Sequence, residues 1–87
     1  MSLTEIILDA IKSNKITFGY KQSIKFIKSG KPKFIVIAEN IPEPMRKQIE
    51  HNAKIFNLKV EIFKGTSKEL GVTCGKPFPI STLVIEE

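Results

Sequence analysis

Leu3, Ile6, Ile7, Ala10 and Ile11 fall at i, i+3, i+4, i+7 and i+8, the spacing that gathers apolar side chains on one face of a helix. Ser2 precedes this run and Glu5 follows it by three, a capping-box pattern at the start, while Asn14 is placed to stop the helix. Ile16-Thr17-Phe18 is a short β-branched and aromatic run that ends at Gly19. A second helix is predicted from Tyr20 to Ser29, terminated by Gly30 and Pro32. Ile24 and Ile27 share its inward face, and Lys21, Lys25 and Lys28 recur at i, i+4 and i+7 along another.

Phe34-Ile35-Val36-Ile37-Ala38 is continuously apolar, the pattern of a central strand covered on both faces. After the turn at Asn40-Ile41-Pro42-Glu43-Pro44, the residues Met45, Ile49, Ala53 and Phe56 recur at helical spacing, with Asn57 near the helix end. Lys59-Val60-Glu61-Ile62-Phe63 then alternates with period two, as a half-covered strand does. Gly65 breaks it, and Thr66 with Glu69 caps a short fourth helix ending at Gly75. Pro77-Phe78-Pro79-Ile80 reads as a stiff loop and Thr82-Leu83-Val84-Ile85 as the last strand. Helix and strand alternate four times, which predicts an α/β fold with helices on both faces of one sheet.

The 87 residues suit one domain, 1–87, with no linker, internal repeat or low-complexity segment. A hydrophobic content of 41% supports a globular chain. Cys74 is the single cysteine, which excludes an internal disulfide and fits a reducing compartment. No apolar run is long enough to span a membrane, and the start at Met1-Ser2-Leu3-Thr4-Glu5 has neither a basic nor a hydrophobic leader region. A cytoplasmic protein without a membrane partner is expected.

Charge changes this picture most. The formal net charge is +5, and between Ala10 and Ala38 no acidic residue occurs, while Lys12, Lys15, Lys21, Lys25, Lys28, Lys31 and Lys33 all lie there. Such a block predicts a polyanionic partner, and nucleic acid is the common intracellular one. The bland alternative for Lys28, Lys31 and Lys33 is a solvated helix face.

Catalytic constellations are thin. Glu39, Glu43 and Glu50 offer carboxylates, but Glu43 and Glu50 sit where solvated acids are usual. Cys74 and His51 lack a third orienting group and an oxyanion signature, so Cys74 reads as a small core residue and His51 as a surface one. No Cys or His pair has metal-ligand spacing. Gly71-Val72-Thr73-Cys74-Gly75-Lys76 approaches a phosphate loop, but it is one residue short between the glycines and Pro77 follows the lysine. Gly75 reads instead as a helix C-cap, and Lys76 remains free to meet a phosphate. No enzyme, cofactor or metal is expected.

Two positions break local rules. Lys21 falls in the first turn of its helix, where unpaired amides and the positive dipole end already favour phosphate oxygens and a cation weakens the helix. Phe78 stands between Pro77 and Pro79, which makes either a plug for the core or a rigid apolar finger for an unstacked base.

Phe18-Gly19-Tyr20-Lys21-Gln22-Ser23, Lys31-Pro32-Lys33-Phe34-Ile35-Val36-Ile37-Ala38-Glu39-Asn40 and Glu69-Leu70-Gly71-Val72-Thr73-Cys74-Gly75-Lys76 together resemble the L7Ae/L30e family, in particular its ribosomal L30e group, over essentially the whole chain. The resemblance implies a three-layer α/β/α sandwich with a central four-stranded mixed sheet. It also implies binding of kink-turn RNA, an internal loop with tandem sheared G·A pairs that bends the backbone sharply. Carried over by position, the RNA-binding residues would be Gly19, Tyr20, Lys21 and Gln22 against the G·A pairs, with Lys25 nearby. Asn40 would follow the central strand, Arg46 would be the basic residue after the proline turn, displaced by one position, and Phe78 and Ile80 would shield a flipped-out base. Lys76 joins this set from the unaided reading. The chain departs from the L7Ae branch in having Lys21-Gln22 in place of an Asn-Glu pair, and it ends soon after its last strand. The implied partners are large-subunit ribosomal RNA and other ribosomal proteins, with the protein monomeric when free and resident on the cytoplasmic ribosome. An RNA-processing ribonucleoprotein, autoregulation of its own message, or a non-RNA α/β adaptor remain alternatives.

Overall fold

The computed structural model describes residues 2–29 and 32–87; Gly30 and Lys31, expected as helix terminator and part of the lysine block, lie outside the described residues. The elements follow in the order α1 (Leu3–Lys12), β1 (Ile16–Phe18), α2 (Tyr20–Ser29), β2 (Pro32–Ala38), α3 (Glu43–Ile55), β3 (Lys59–Phe63), α4 (Ser67–Thr73) and β4 (Thr82–Glu86). The strands form one four-stranded sheet in the order β1-β4-β2-β3. β2 and β3 are parallel, and β4 runs antiparallel to both β2 and β1. The sheet is therefore mixed, and the carboxyl ends of β1, β2 and β3 meet the amino end of β4 at one pole.

Alternation along the central strands sends side chains to two cores. Val36 and Ala38 of β2 and Leu83 and Ile85 of β4 join Ile7 and Ala10 of α1 and Leu70 of α4, with Cys74 and Ile80. Ile35 and Ile37 of β2 and Val84 of β4 join Ile27 of α2 and Ile49 and Ala53 of α3 on the opposite face. Two helices thus cover each face, which is the expected three-layer sandwich. Each large aliphatic side chain so buried contributes about 1.5–3 kcal/mol.

The helix boundaries have local causes. The hydroxyl of Ser2 accepts from the amide of Glu5 at 3.2 Å, and Thr66 with Glu69 forms a complete capping box at α4. Asn14 and Asn57 end α1 and α3 in the left-handed region, at φ 56° and 55°. α3 starts two residues earlier than the periodicity indicates, because Pro44 falls in its first turn, where a missing amide costs nothing. Phe56, expected on the inward face of α3, is exposed: the helix ends at Ile55 and the chain reverses at Asn57, so Leu58 packs against the core instead. β2 reaches back to Pro32 through a register irregularity between Pro32 and Phe34.

Candidate nucleic-acid interface

The strand directions place three helix amino ends at the same pole, since α2, α3 and α4 each begin where β1, β2 and β3 end. Their positive dipole ends point the same way. The corresponding carboxyl-terminal turns of α1, α2 and α3 carry Lys12, Lys28 and Lys54. The lysine block is therefore divided. Lys12 and Lys28 complement helix dipoles, and Lys15 and Lys33 precede or open strands at the far pole, so among the described residues of the block Lys21 and Lys25 lie toward the helix amino ends.

The three amino ends differ. α4 is closed by its own capping box, and the amide of Ser67 donates to Asn40 Oδ1 at 2.8 Å. α3 has Glu43 in its first turn and α4 has Glu69, whereas the first turn of α2 has no acid and carries Lys21. Gly19, at φ 93°, makes the turn from β1 into α2 in a conformation that side-chain-bearing residues rarely adopt. Its amide donates to the carbonyl of Thr82 at 2.9 Å and its carbonyl accepts from Ser23 at 2.9 Å, which fixes the turn on β4. The amides of Tyr20, Lys21 and Gln22 stand at the open end of the helix. Lys21, Gln22 and Lys25 are solvent-facing to differing degrees; the Tyr20 side chain packs against the α2/α3 core and leaves its backbone to the surface.

The segment from Gly75 to Ser81 returns to the same pole. Gly75, at φ 74°, follows the end of α4, as the C-cap reading required, so the Gly71–Lys76 segment lies at the carboxyl end of its helix and not at the amino end that a phosphate loop needs. Lys76 Nζ lies 4.9 Å from the centre of the Phe18 ring, the residue before Gly19. Phe78 is 51% exposed and, with Pro77, Pro79, Val72 and the lysines Lys68 and Lys76, lines an open cleft of about 480 Å³. The core-plug alternative for Phe78 is thereby excluded. Ile80 is corrected in the other direction. Its side chain is 2% exposed within the α1/α4 core, and its amide donates to the carbonyl of Ser67 at 2.9 Å, so it anchors the loop and presents no side chain to a ligand.

Asn40 is exposed, but its carbonyl oxygen is committed to Ser67, which ties the β2–α3 turn to α4. Arg46, in the first turn of α3, lies 3.7 Å from Glu50 in an exposed i, i+4 pair that is weak in water. Gly19, Tyr20, Lys21, Gln22, Asn40, Arg46, Lys76 and Phe78 thus share one pole, with Lys25 one turn along α2. Lys68 and Val72 were not singled out by sequence. Their signal is that Val72 follows Lys68 by four residues and falls off the buried stripe of Leu70, Gly71 and Cys74; it is 70% exposed.

Comparisons with known proteins bear on the family and the fold. The profile of the Ribosomal protein L7Ae/L30e/S12e/Gadd45 family matches residues 1–87. The large ribosomal subunit protein eL30 of Methanocaldococcus jannaschii is 40% identical over 85 residues, covering 98% of this chain and 77% of that protein. The eL30 of Methanothermobacter thermautotrophicus is 41% identical over 78 residues, covering 90% of this chain and 80% of its own. These relatives are ribosomal proteins and not enzymes. Among solved structures, the Giardia lamblia 15.5kD RNA binding protein superposes with a TM-score of 0.84 at 17% identity, covering 98% of this chain and 71% of that one, which shows the shared fold. The chain belongs to the ribosomal protein L7Ae/L30e/S12e/Gadd45 family.

Proposed function

We propose that residues 1–87 act as one RNA-binding domain, a large-subunit ribosomal protein of the L30e type that holds a kink-turn in its bent form. The observation that carries this reading is the acid-free first turn of α2, with Lys21, standing at the same pole as the Lys76–Phe78 loop. The eL30 names of the relatives support the ribosomal assignment, and the Giardia protein that shares the fold is itself named for binding RNA.

The division of labour follows from the chemistry. Lys21, Lys25, Lys68 and Lys76 supply salt-sensitive attraction to the crowded phosphates of a bend. The open amides of Tyr20, Lys21 and Gln22 and the side chain of Gln22 meet the edges of the sheared pairs, and the Phe78 ring meets an unstacked base. Only a bent RNA offers both surfaces at once, so binding draws the RNA's own equilibrium toward that form. The partners are ribosomal RNA and neighbouring ribosomal proteins, and the site of action is the cytoplasmic ribosome.

A titration against a kink-turn RNA and a control with the G·A pairs disrupted tests the reading. Tight binding to the first and weak binding to the second is expected; equal binding reduces the protein to a general cation. Co-sedimentation with the large ribosomal subunit at high salt tests the ribosomal assignment.

A further inference from the structure

Beneath the Gly19–Gln22 turn lie two hydroxyls that the grip described above does not use. Ser23 and Thr82 are both 0% exposed, and neither side-chain hydroxyl has a hydrogen-bond partner among the described residues. Both belong to the layer between α2 and the sheet. Thr82 pairs with Ile37 and stands two residues before Val84, both of the α2/α3 core, and Ser23 lies one helical turn before Ile27 of that core.

A hydroxyl left unpaired among aliphatic side chains bears the full loss of its hydration, and an apolar group of the same shape is neutral or stabilising there. Neither hydroxyl therefore adds to fold stability through a bond to another described residue. Ser23 does not take the bond back to the Gly19 carbonyl that a helical serine can take. What the two residues share is location: the Thr82 carbonyl receives the Gly19 amide and the Gly19 carbonyl receives the Ser23 amide, so they flank the joint that hangs the first turn of α2 on β4.

We propose that Ser23 and Thr82 are positioning residues for the RNA-contacting turn, two buried hydroxyls at one backbone joint that become hydrogen-bonded when bound RNA settles that turn against β4. The free protein gives up stability at this joint, and the bound form recovers it as affinity. The inference rests on the kink-turn reading.

The test uses the whole chain with Thr82→Val, which keeps the shape, Ser23→Ala, and Thr82→Ser, which keeps the hydroxyl. Thr82→Val and Ser23→Ala are expected to raise the melting temperature while weakening kink-turn binding by roughly three- to tenfold, the range of one ordinary hydrogen bond. The salt dependence of binding stays at the wild-type slope, because no phosphate contact is lost. Thr82→Ser binds as wild type. Amide exchange at Tyr20, Lys21 and Gln22 slows on RNA binding in the wild type and slows less in Thr82→Val. Wild-type affinity in both apolar variants overturns the proposal, as does a parallel fall of stability and affinity, which is the mark of packing alone. A wild-type protein that does not distinguish the kink-turn from its G·A-disrupted control overturns the functional reading and this inference with it; discrimination by the wild type with unchanged variants overturns the positioning role only.

Discussion

The ammonium group of Lys76 stands over the ring of Phe18, 4.9 Å from its centre, and so links the loop before β4 to the residue that precedes the Gly19 turn. Two segments separated by more than half of the chain thereby share one surface. The contact also assigns Lys76 two tasks, holding the loop beside β1 and presenting charge at the pole.

Lys21 and Lys76 are consequently expected to differ on truncation. Lys21 is exposed and has no ion-pair partner among the described residues, so Lys21→Ala removes a phosphate contact and little else. Kink-turn affinity falls, the salt slope flattens by about one unit, and thermal stability is unchanged. Lys76→Ala loses the same electrostatic contribution and, in addition, about 0.5–1 kcal/mol of stability from the ring contact. Binding titrations at several salt concentrations, paired with melting curves, separate the two.

Phe78 and Ile80 are two residues apart and predict opposite outcomes. Phe78→Ala leaves a half-exposed position and is expected to cost about 1–3 kcal/mol in RNA binding, with little change in stability. Ile80→Ala empties a core position and is expected to cost about 2–5 kcal/mol in stability. Denaturant unfolding of both variants against their RNA affinities checks the contrast; unchanged affinity in Phe78→Ala would show that the exposed ring meets no base.

The contrast also shows how far the sequence could be read. The eight elements were legible because apolar spacing, capping pairs and the two left-handed asparagines agree with the tertiary packing at nearly every boundary. Lys21 and Phe78 stand out in the sequence as residues that break a local rule, and both are exposed in the fold. The place of Ile80 was not legible, because adjacency to an exposed loop says nothing of which way an aliphatic side chain turns once it meets a core between α1 and α4. The layout of the lysine block was hidden for a similar reason: linear density of charge does not reveal that α2 carries its lysines from one pole of the sheet toward the other. Ser23 and Thr82 gave no signal at all, since an unpaired hydroxyl exists only in three dimensions.

Gly71 joins stability to the site. A methyl group there would be driven into the carbonyl oxygen of Phe78, which is backbone and can yield only by moving the whole loop. Gly71→Ala is therefore expected to lower stability by about 1–3 kcal/mol, as overpacking does, and to weaken RNA binding as well by displacing Phe78. Ile80→Ala, which loses stability through a cavity, offers the control. A Gly71→Ala protein with normal affinity would mean that the loop position is immaterial to recognition.

Cys74, at the carboxyl end of α4, closes the α1/α4 core, and its burial raises the thiol above its ordinary value of 9.0, with the neighbouring Lys76 ammonium opposing that shift in part. The sign of the linkage is fixed by this direction. The unfolded chain ionises its thiol first, so the contribution of Cys74 to stability is complete below pH 9.0 and is lost as the pH rises from there through the higher folded value. Stability in the wild type should accordingly fall more steeply above pH 9.0 than in Cys74→Ala, after the constant cost of the smaller side chain is subtracted. At neutral pH the buried, protonated thiol should react with a disulfide reagent only as fast as the fold opens. Rapid labelling of the native protein, or parallel pH profiles for the two proteins, would show that the thiol ionises as freely in the fold as in the open chain.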